Sequence, residues 1–337
     1  MSAVRCMLDR EHPRLATKEG DSNIYVLGEL SGHDVVLACL PGSQGKGAAA
    51  TVATNMARTF PSIKWRFFVG IGGGVPSKKH DIRLGDVVVS MPEGQYGGVV
   101  QYDLGRETEA GFVLKGFLSP PPPLLRSAVV KMRLDHFLSE NKAEEFLSAM
   151  LRKGRRLSVY QRPPSSLDVL FEADYSHDPI KTTCETCDGQ KRVRRTPRDS
   201  EGPEIHYGLV ASGDRVVRSI VKRDEIIRNL GDVLCFEMEA AGLMTEFPCI
   251  VIRGISDYAD SHKNDDWQHY AAATAAACTK ELLTYVDPTV VPAVSVMSAP
   301  STDVAISRDK SVASFHGTGI QHSGSGNFSV GNNLNIR

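Results

Sequence analysis

Two apolar runs late in the chain, residues 233–236 and 248–255, are each followed at once by polar and acidic residues. Val233-Leu234-Cys235-Phe236 reads as a short buried strand, 237–246 as a helix and 248–255 as a second apolar strand, a compact β-α-β unit. Parallel neighbouring strands would bring Glu237, Met238 and Glu239, after the first, and Ser256 and Asp257, after the second, to one carboxyl edge. Open α/β sheets bind ligands at such edges. A helix N-terminus attracting carboxylates accounts for one acid, not for all of them.

The rest of the chain alternates in the same manner. Residues 23–30 and 33–40 read as a β-hairpin around Ser31-Gly32, preceded by a helix fragment and a polar loop. An Ala-rich helix is predicted over 48–60, a buried strand over 64–69, and further sheet over 82–90 and 97–103. After the prolines at 120–123, helices of amphipathic spacing are predicted over 124–141 and 143–156. A polar insertion at 161–203 precedes a strand at 206–211, and an Ala-rich helix covers 267–286. The pattern is that of an α/β protein, a central mixed β-sheet flanked by helices. From 288 onward Ser, Val, Pro, Gly and Asn dominate without helical periodicity, which reads as a linker over 288–314 and a disordered tail over 315–337. Gly-x-Gly recurs there at Gly317 and Gly324, and near-uncharged amide-rich stretches with periodic apolar residues can stack as cross-β ladders.

Composition narrows the function classes. A chain of 337 residues with 41% hydrophobic and 23% charged content can bury a sizeable core. The net charge of −1 argues against a general nucleic-acid binder, and the basic run at 191–198 reads as a solvated loop. No apolar stretch approaches the roughly 20 residues of a membrane span, and the N-terminus lacks a signal-peptide core, so a cytoplasmic protein without membrane contact is expected. The odd number of cysteines, 7, with Cys39, Cys235 and Cys249 in apolar runs, suggests buried thiols in a reducing compartment. Cys184-Glu185-Thr186-Cys187 supplies two metal ligands where zinc takes about four, so His177 and His206 would have to complete a site. A loop thiol pair with no metal and no other cofactor is the expectation.

Two glycine-rich stretches follow predicted strands. Pro41-Gly42-Ser43-Gln44-Gly45-Lys46-Gly47 enters a helix, where backbone N–H groups can cradle an anion, with Gly45 and Lys46 as candidate phosphate ligands. It is not a Walker A loop, since Leu40 stands where the first Gly should be and Gly47 where Ser or Thr is required. A tight strand-to-helix turn explains the glycines equally well. In Gly70-Ile71-Gly72-Gly73-Gly74, the lack of side chains lets a ligand lie against Gly72 and Gly73.

FEMEAAGLM followed by VIRGISDYAD resembles the signature of the purine nucleoside phosphorylase and nucleosidase superfamily, whose members cleave the bond between ribose and base. GIGGGVPSKKHDIRLGDVVVS is similar to the phosphorylase-like domains associated with fungal NOD-like receptors, some of which cleave nucleotides, ATP included. The resemblance covers residues 7–287. It implies that Glu239 holds ribose hydroxyls and Asp257 hands a proton to purine N7, with Glu237 completing the catalytic set and Phe236, Met238 and Ser256 contacting substrate. The residue types suit the chemistry: a purine leaves poorly as an anion, so a protonated carboxyl acts as general acid, and carboxylates stabilise the cationic sugar. Ser212-Gly213-Asp214 resembles the base-pocket loop, but Val216 replaces the stacking aromatic, leaving Val217 against the base. Arg215 and Arg218 offer charge for substrate phosphates, against the plainer reading of a solvated helix face. The family usually opens with an apolar strand ending in a water-activating acid, and this chain begins after that strand's place.

Three functions are compatible with these residues: a purine N-ribosyl hydrolase acting on a nucleoside or nucleotide, a phosphorylase using inorganic phosphate, or a non-catalytic nucleotide-sensing module. The resemblance also implies a homo-oligomer. The tail is similar to short amyloid-forming motifs by which some fungal receptors and effectors recruit each other, which implies a NOD-like receptor partner and an immune or cell-death role.

Overall fold

A computed structural model of the chain describes residues 1–109, 111–181 and 183–288. The tail expected at 315–337 and the linker from 289 onward lie outside the described residues. Helix α1 (Ser2–Cys6) leads into an antiparallel sheet of β1 (Arg10–His12), β2 (Val26–Leu30) and β3 (His33–Leu37). The hairpin is as expected; β1, with the sequence Arg-Glu-His, has no apolar alternation by which to announce itself. Helix α2 (Lys46–Thr59) follows, then β4 (Phe67–Gly74), β5 (Val87–Ser90), β6 (Val99–Gln101) and a small hairpin of β7 (Gly105–Thr108) and β8 (Gly111–Leu114). Helices α3 (Pro123–Asp135) and α4 (Ala143–Leu151) precede the insertion, whose regular structure among the described residues is limited to short 3₁₀ turns such as Ser165–Leu167 and Gly189–Lys191. The chain ends with β9 (Ile205–Ser212), α5 (Ile220–Leu230), β10 (Val233–Glu237), α6 (Ala240–Met244), β11 (Ile250–Asp257) and α7 (Gln268–Leu283).

The main sheet is mixed, in the order β10-β4-β11-β5-β9-β6, and an additional β10–β9 pairing closes it into a ring. Closure matters for the site. The expected parallel neighbours β10 and β11 are separated by β4, which runs parallel to β11 from Phe67 opposite Ile250 to Gly73 opposite Asp257. Strand β10 meets β4 antiparallel, at Cys235–Gly74 and Phe236–Gly73 only, and runs parallel to β9. Consecutive apolar runs say nothing of a third strand slotted between them. The acids nevertheless converge, because β10 crosses the carboxyl end of β4 where β11 also ends.

Both faces of the sheet are covered. The small side chains of α7 let it lie directly on β11, and most of the helix is buried. Ile250, Val251, Ile252, Val87 and Val89 are fully enclosed, each contributing on the order of 2 kcal/mol through removal from water. Cys235 and Cys249 are buried as expected and Cys278 is buried as well, but Cys39 is exposed, since it lies beyond β3 on the rim of a cleft. Among the described residues, no helix is long and apolar enough to cross a membrane.

The basic run at 191–198 is not the solvated loop expected from its charge. Arg195 donates to Asp168 Oδ2 at 2.8 Å and to the Tyr258 hydroxyl at 2.9 Å. Arg198 forks onto Asp86 with two 2.8 Å bonds. The cause is the buried carboxylate itself: Asp86 is only 2% exposed and also accepts from His206 Nε2 at 2.9 Å and from the amides of Arg83 and Glu204. Burial works against the charge of Asp86, yet the Arg198 and His206 hydrogen bonds prevail and hold its carboxyl below the usual range.

Candidate active site

The outer edge of β4 from Phe67 to Gly72 meets no strand among the described residues, and it forms one wall of a cleft of about 1410 Å³. That is roomier than the ~300–1,000 Å³ of an ordinary small-molecule pocket. Glu237, Met238, Glu239, Ser256 and Asp257 all line it, as do Gly72, Gly73, Phe236, Arg215 and Val217. The structure thus brings together most of the residues singled out from sequence. Gly45 and Lys46 are not in its lining.

Two neighbouring glutamates are held differently. Glu237 pairs with the Arg253 guanidinium and accepts from the backbone N–H groups of Glu239, at 3.1 Å, and Ala240, at 3.0 Å. Every one of these contacts belongs to the protein, so Glu237 fixes the β10–α6 corner. Glu239 is held loosely, with Oε1 3.5 Å from the Gly45 N–H and Oε2 3.5 Å from Arg253. Burial raises its proton affinity against the opposing pull of Arg253. Of the two carboxyls, it is the less committed to the protein.

Asp257 ends β11. Its Oδ1 accepts from Ala259 N–H at 3.0 Å, and its Oδ2 from Ser256 Oγ at 2.9 Å and Lys263 Nζ at 2.5 Å. Ala259 adopts a φ of 51°, the left-handed region, so the turn presenting that N–H carries strain of order 1 kcal/mol. The glycines of β4 make the crossing possible. A Cβ on Gly73 would sit 2.7 Å from Asp257 Oδ1, and one on Gly70 would collide with the Arg253 guanidinium. Part of the glycine run therefore makes room for the protein's own Arg253 and Asp257, rather than for a ligand alone.

Arg253 and Lys263 were missed from sequence. A lone arginine inside Cys-Ile-Val-Ile-Arg-Gly-Ile-Ser is the signal that was available, because a charge in a buried strand requires a partner. Arg253 finds Glu237, and its guanidinium rests 4.4 Å from the centroid of Phe68. Lys46 is committed elsewhere, bonding Asp103 at 2.7 and 3.0 Å and Asp214 at 3.2 Å. Arg215 forms no ion pair among the described residues and opens on the cleft. Arg218 is not on a helix face: α5 begins at Ile220 with Ser219 as its cap, and Arg218 donates to the Lys263 carbonyl at 3.0 Å. Val217 packs beside Phe236 and Tyr102, whose rings meet edge to face at 5.6 Å.

The chain matches the model of the phosphorylase superfamily over residues 9–285, and it belongs to that family. It is 42% identical over 289 residues to a nucleotide-binding leucine-rich repeat (NLR)-like protein of Hyaloscypha variabilis, covering 86% of this chain but 28% of that relative's length. It is 25% identical over 267 residues to a 5'-methylthioadenosine/S-adenosylhomocysteine nucleosidase of Mycobacterium bovis, covering 77% of this chain and 84% of the relative. Among solved structures, the Neisseria meningitidis nucleosidase of the same name, in complex with methylthio-immucillin-A, shares the fold with a TM-score of 0.53. That alignment is 20% identical and covers 85% of this chain and 96% of the other.

Proposed function

We propose that the protein hydrolyses the N-glycosidic bond of a purine nucleoside or nucleotide. The observation that carries this reading is that Glu239 and Asp257 open on one cleft from the ends of two different strands. Glu239 would bind the ribose hydroxyls and stabilise positive charge developing on the sugar, while Asp257 passes to N7 of the departing purine a proton supplied by the Lys263 ammonium on its Oδ2. Phe236, Met238 and Val217 supply the apolar surface for ribose and base.

Two features support water as acceptor and a phosphorylated substrate. Lys46 is neutralised by Asp103 and Asp214, which removes the obvious cation for an inorganic phosphate co-substrate. Arg215 lines the cleft without an acidic partner among the described residues, and it suits the phosphates of a nucleotide such as ATP. The likeness to an NLR-like protein supports an immune or cell-death role in the cytoplasm, with such a receptor as partner. Incubating the purified protein with adenosine, inosine, guanosine and ATP, with and without phosphate, and following free base by chromatography tests the reading. Phosphate-independent release of base is expected; release only with phosphate would make the protein a phosphorylase, and no release a binding module.

A further inference from the structure

The insertion and the segment that follows Asp257 meet at a second cluster of side chains, which the proposed reaction does not use. His177, Cys184, Cys187 and His262 each place one ligand atom so that all lie within 4.8 Å of one another. His262 Nδ1 is 3.7 Å from the Sγ of Cys184 and 3.7 Å from that of Cys187. Tetrahedral zinc with thiolate and imidazole ligands requires a sulfur-to-nitrogen separation of about 3.6 Å, given bonds of about 2.3 and 2.05 Å. The spacing is right for a shared ion.

The surroundings are those of a metal site as well. The Tyr175 carbonyl takes the Nε2–H of His262 at 3.1 Å, which fixes the tautomer whose lone pair is on Nδ1, facing the sulfurs. The Thr183 carbonyl stands 3.1 Å from Nε2 of His177 and orients that ring likewise. Phe171 stacks on His262 with centroids 4.0 Å apart, an apolar wall behind the ligand. His206, which with His177 would have had to complete a zinc site, is instead held by Asp86, and His262, far along the chain, stands beside the two thiols in its place.

We propose that His177, Cys184, Cys187 and His262 bind one structural zinc ion that pins the insertion to the loop behind Asp257. The donor set of two thiolates and two imidazoles favours zinc among divalent ions, and four protein ligands leave no open position for catalysis. His262 directly precedes Lys263, the residue that grips Asp257. The ion would therefore set the position of that lysine through one peptide bond, beside a second grip in which Arg195 and Asp168 hold Tyr258.

The test is metal analysis of the full chain, purified reduced and without a metal-affinity tag, by inductively coupled plasma mass spectrometry. One zinc per chain is expected, lost in the Cys184→Ser, Cys187→Ser double variant. Replacement by cobalt(II) should give the visible bands of a tetrahedral ion and a thiolate charge-transfer band. Should the double variant not fold, the wild-type chain decides: stripping with a chelator should lower its melting temperature by several degrees, and stoichiometric zinc should restore it. A reduced protein that carries no metal and whose melting temperature ignores added zinc overturns the proposal, as does metal retained in full by the double variant.

Discussion

Lys263 Nζ lies 2.5 Å from Oδ2 of Asp257, so the carboxyl at the end of β11 is held by the loop beyond it as well as by its own turn. The sheet brings Asp257 to the cleft, and the loop sets its final orientation. Replacing Asp257 by Asn keeps the acceptor for Ala259 N–H but removes the transferable proton. Base release should fall by ~10² to 10⁴, the range of a positioned general acid, with circular dichroism unchanged. A variant as fast as the parent would falsify the assignment.

Glu237 and Glu239 should respond in opposite ways to the same substitution. Glu239→Gln weakens contacts as long as 3.5 Å to Gly45 and Arg253, so turnover should drop far more than the melting temperature. Glu237→Gln leaves the buried Arg253 without its main counter-charge, and breaking such a pair costs about 3–5 kcal/mol. Chemical denaturation alongside steady-state kinetics separates the two; equal loss of stability in both variants would mean that Glu239 too is structural.

Acid should loosen the grip of the insertion on Asp86 only well into the carboxylate range. Because its carboxyl is held below the usual range, the stability it contributes is complete above its unfolded value, about pH 4, and disappears as pH falls through the lower folded value. Asp86→Asn should therefore lower the melting temperature at neutral pH and flatten its decline below about pH 4 relative to the parent. Melting curves of the two proteins that stay parallel down to pH 2.5 or so would count against this role.

The segment from 289 onward should be separable from the catalytic unit. Deleting residues 289–337 should leave base release intact, and the isolated 315–337 peptide, with its recurring Gly-x-Gly, should form thioflavin-positive fibrils with a ~4.7 Å repeat. A peptide that remains monomeric alone and with a partner's matching segment removes the recruitment idea.

Most strands and the acids that end them were legible in the chain, because short apolar runs closed by Glu or Asp carry both signals in one stretch. Strand order was not. Nothing in 233–257 says that β4 intervenes or that β9 pairs β10, since those are decisions of distant segments. For the same reason Gly73 read only as a ligand-facing surface, when it lines the cleft and also makes room for Asp257 of β11. The insertion was hardest to read: its polar residues follow no period, and its anchors, Arg195 and Arg198, differ from solvated neighbours such as Arg194 only by the partners they find.

Those anchors bear on the order in which the molecule comes together. Arg195 reaches Tyr258 across 63 residues of chain, and the His177 N–H reaches Ser261 across 84. The insertion contributes no strand to the main sheet among the described residues, so these contacts form only once β11 and the residues beyond it are in place to be gripped, and they belong to the late stages of folding. The sheet and α7 can condense first, leaving the chain from Tyr258 to Lys263 unset until the insertion docks. During refolding, secondary structure should thus recover ahead of activity, and in the cell a freshly made chain would pass through a stage that is folded but inert.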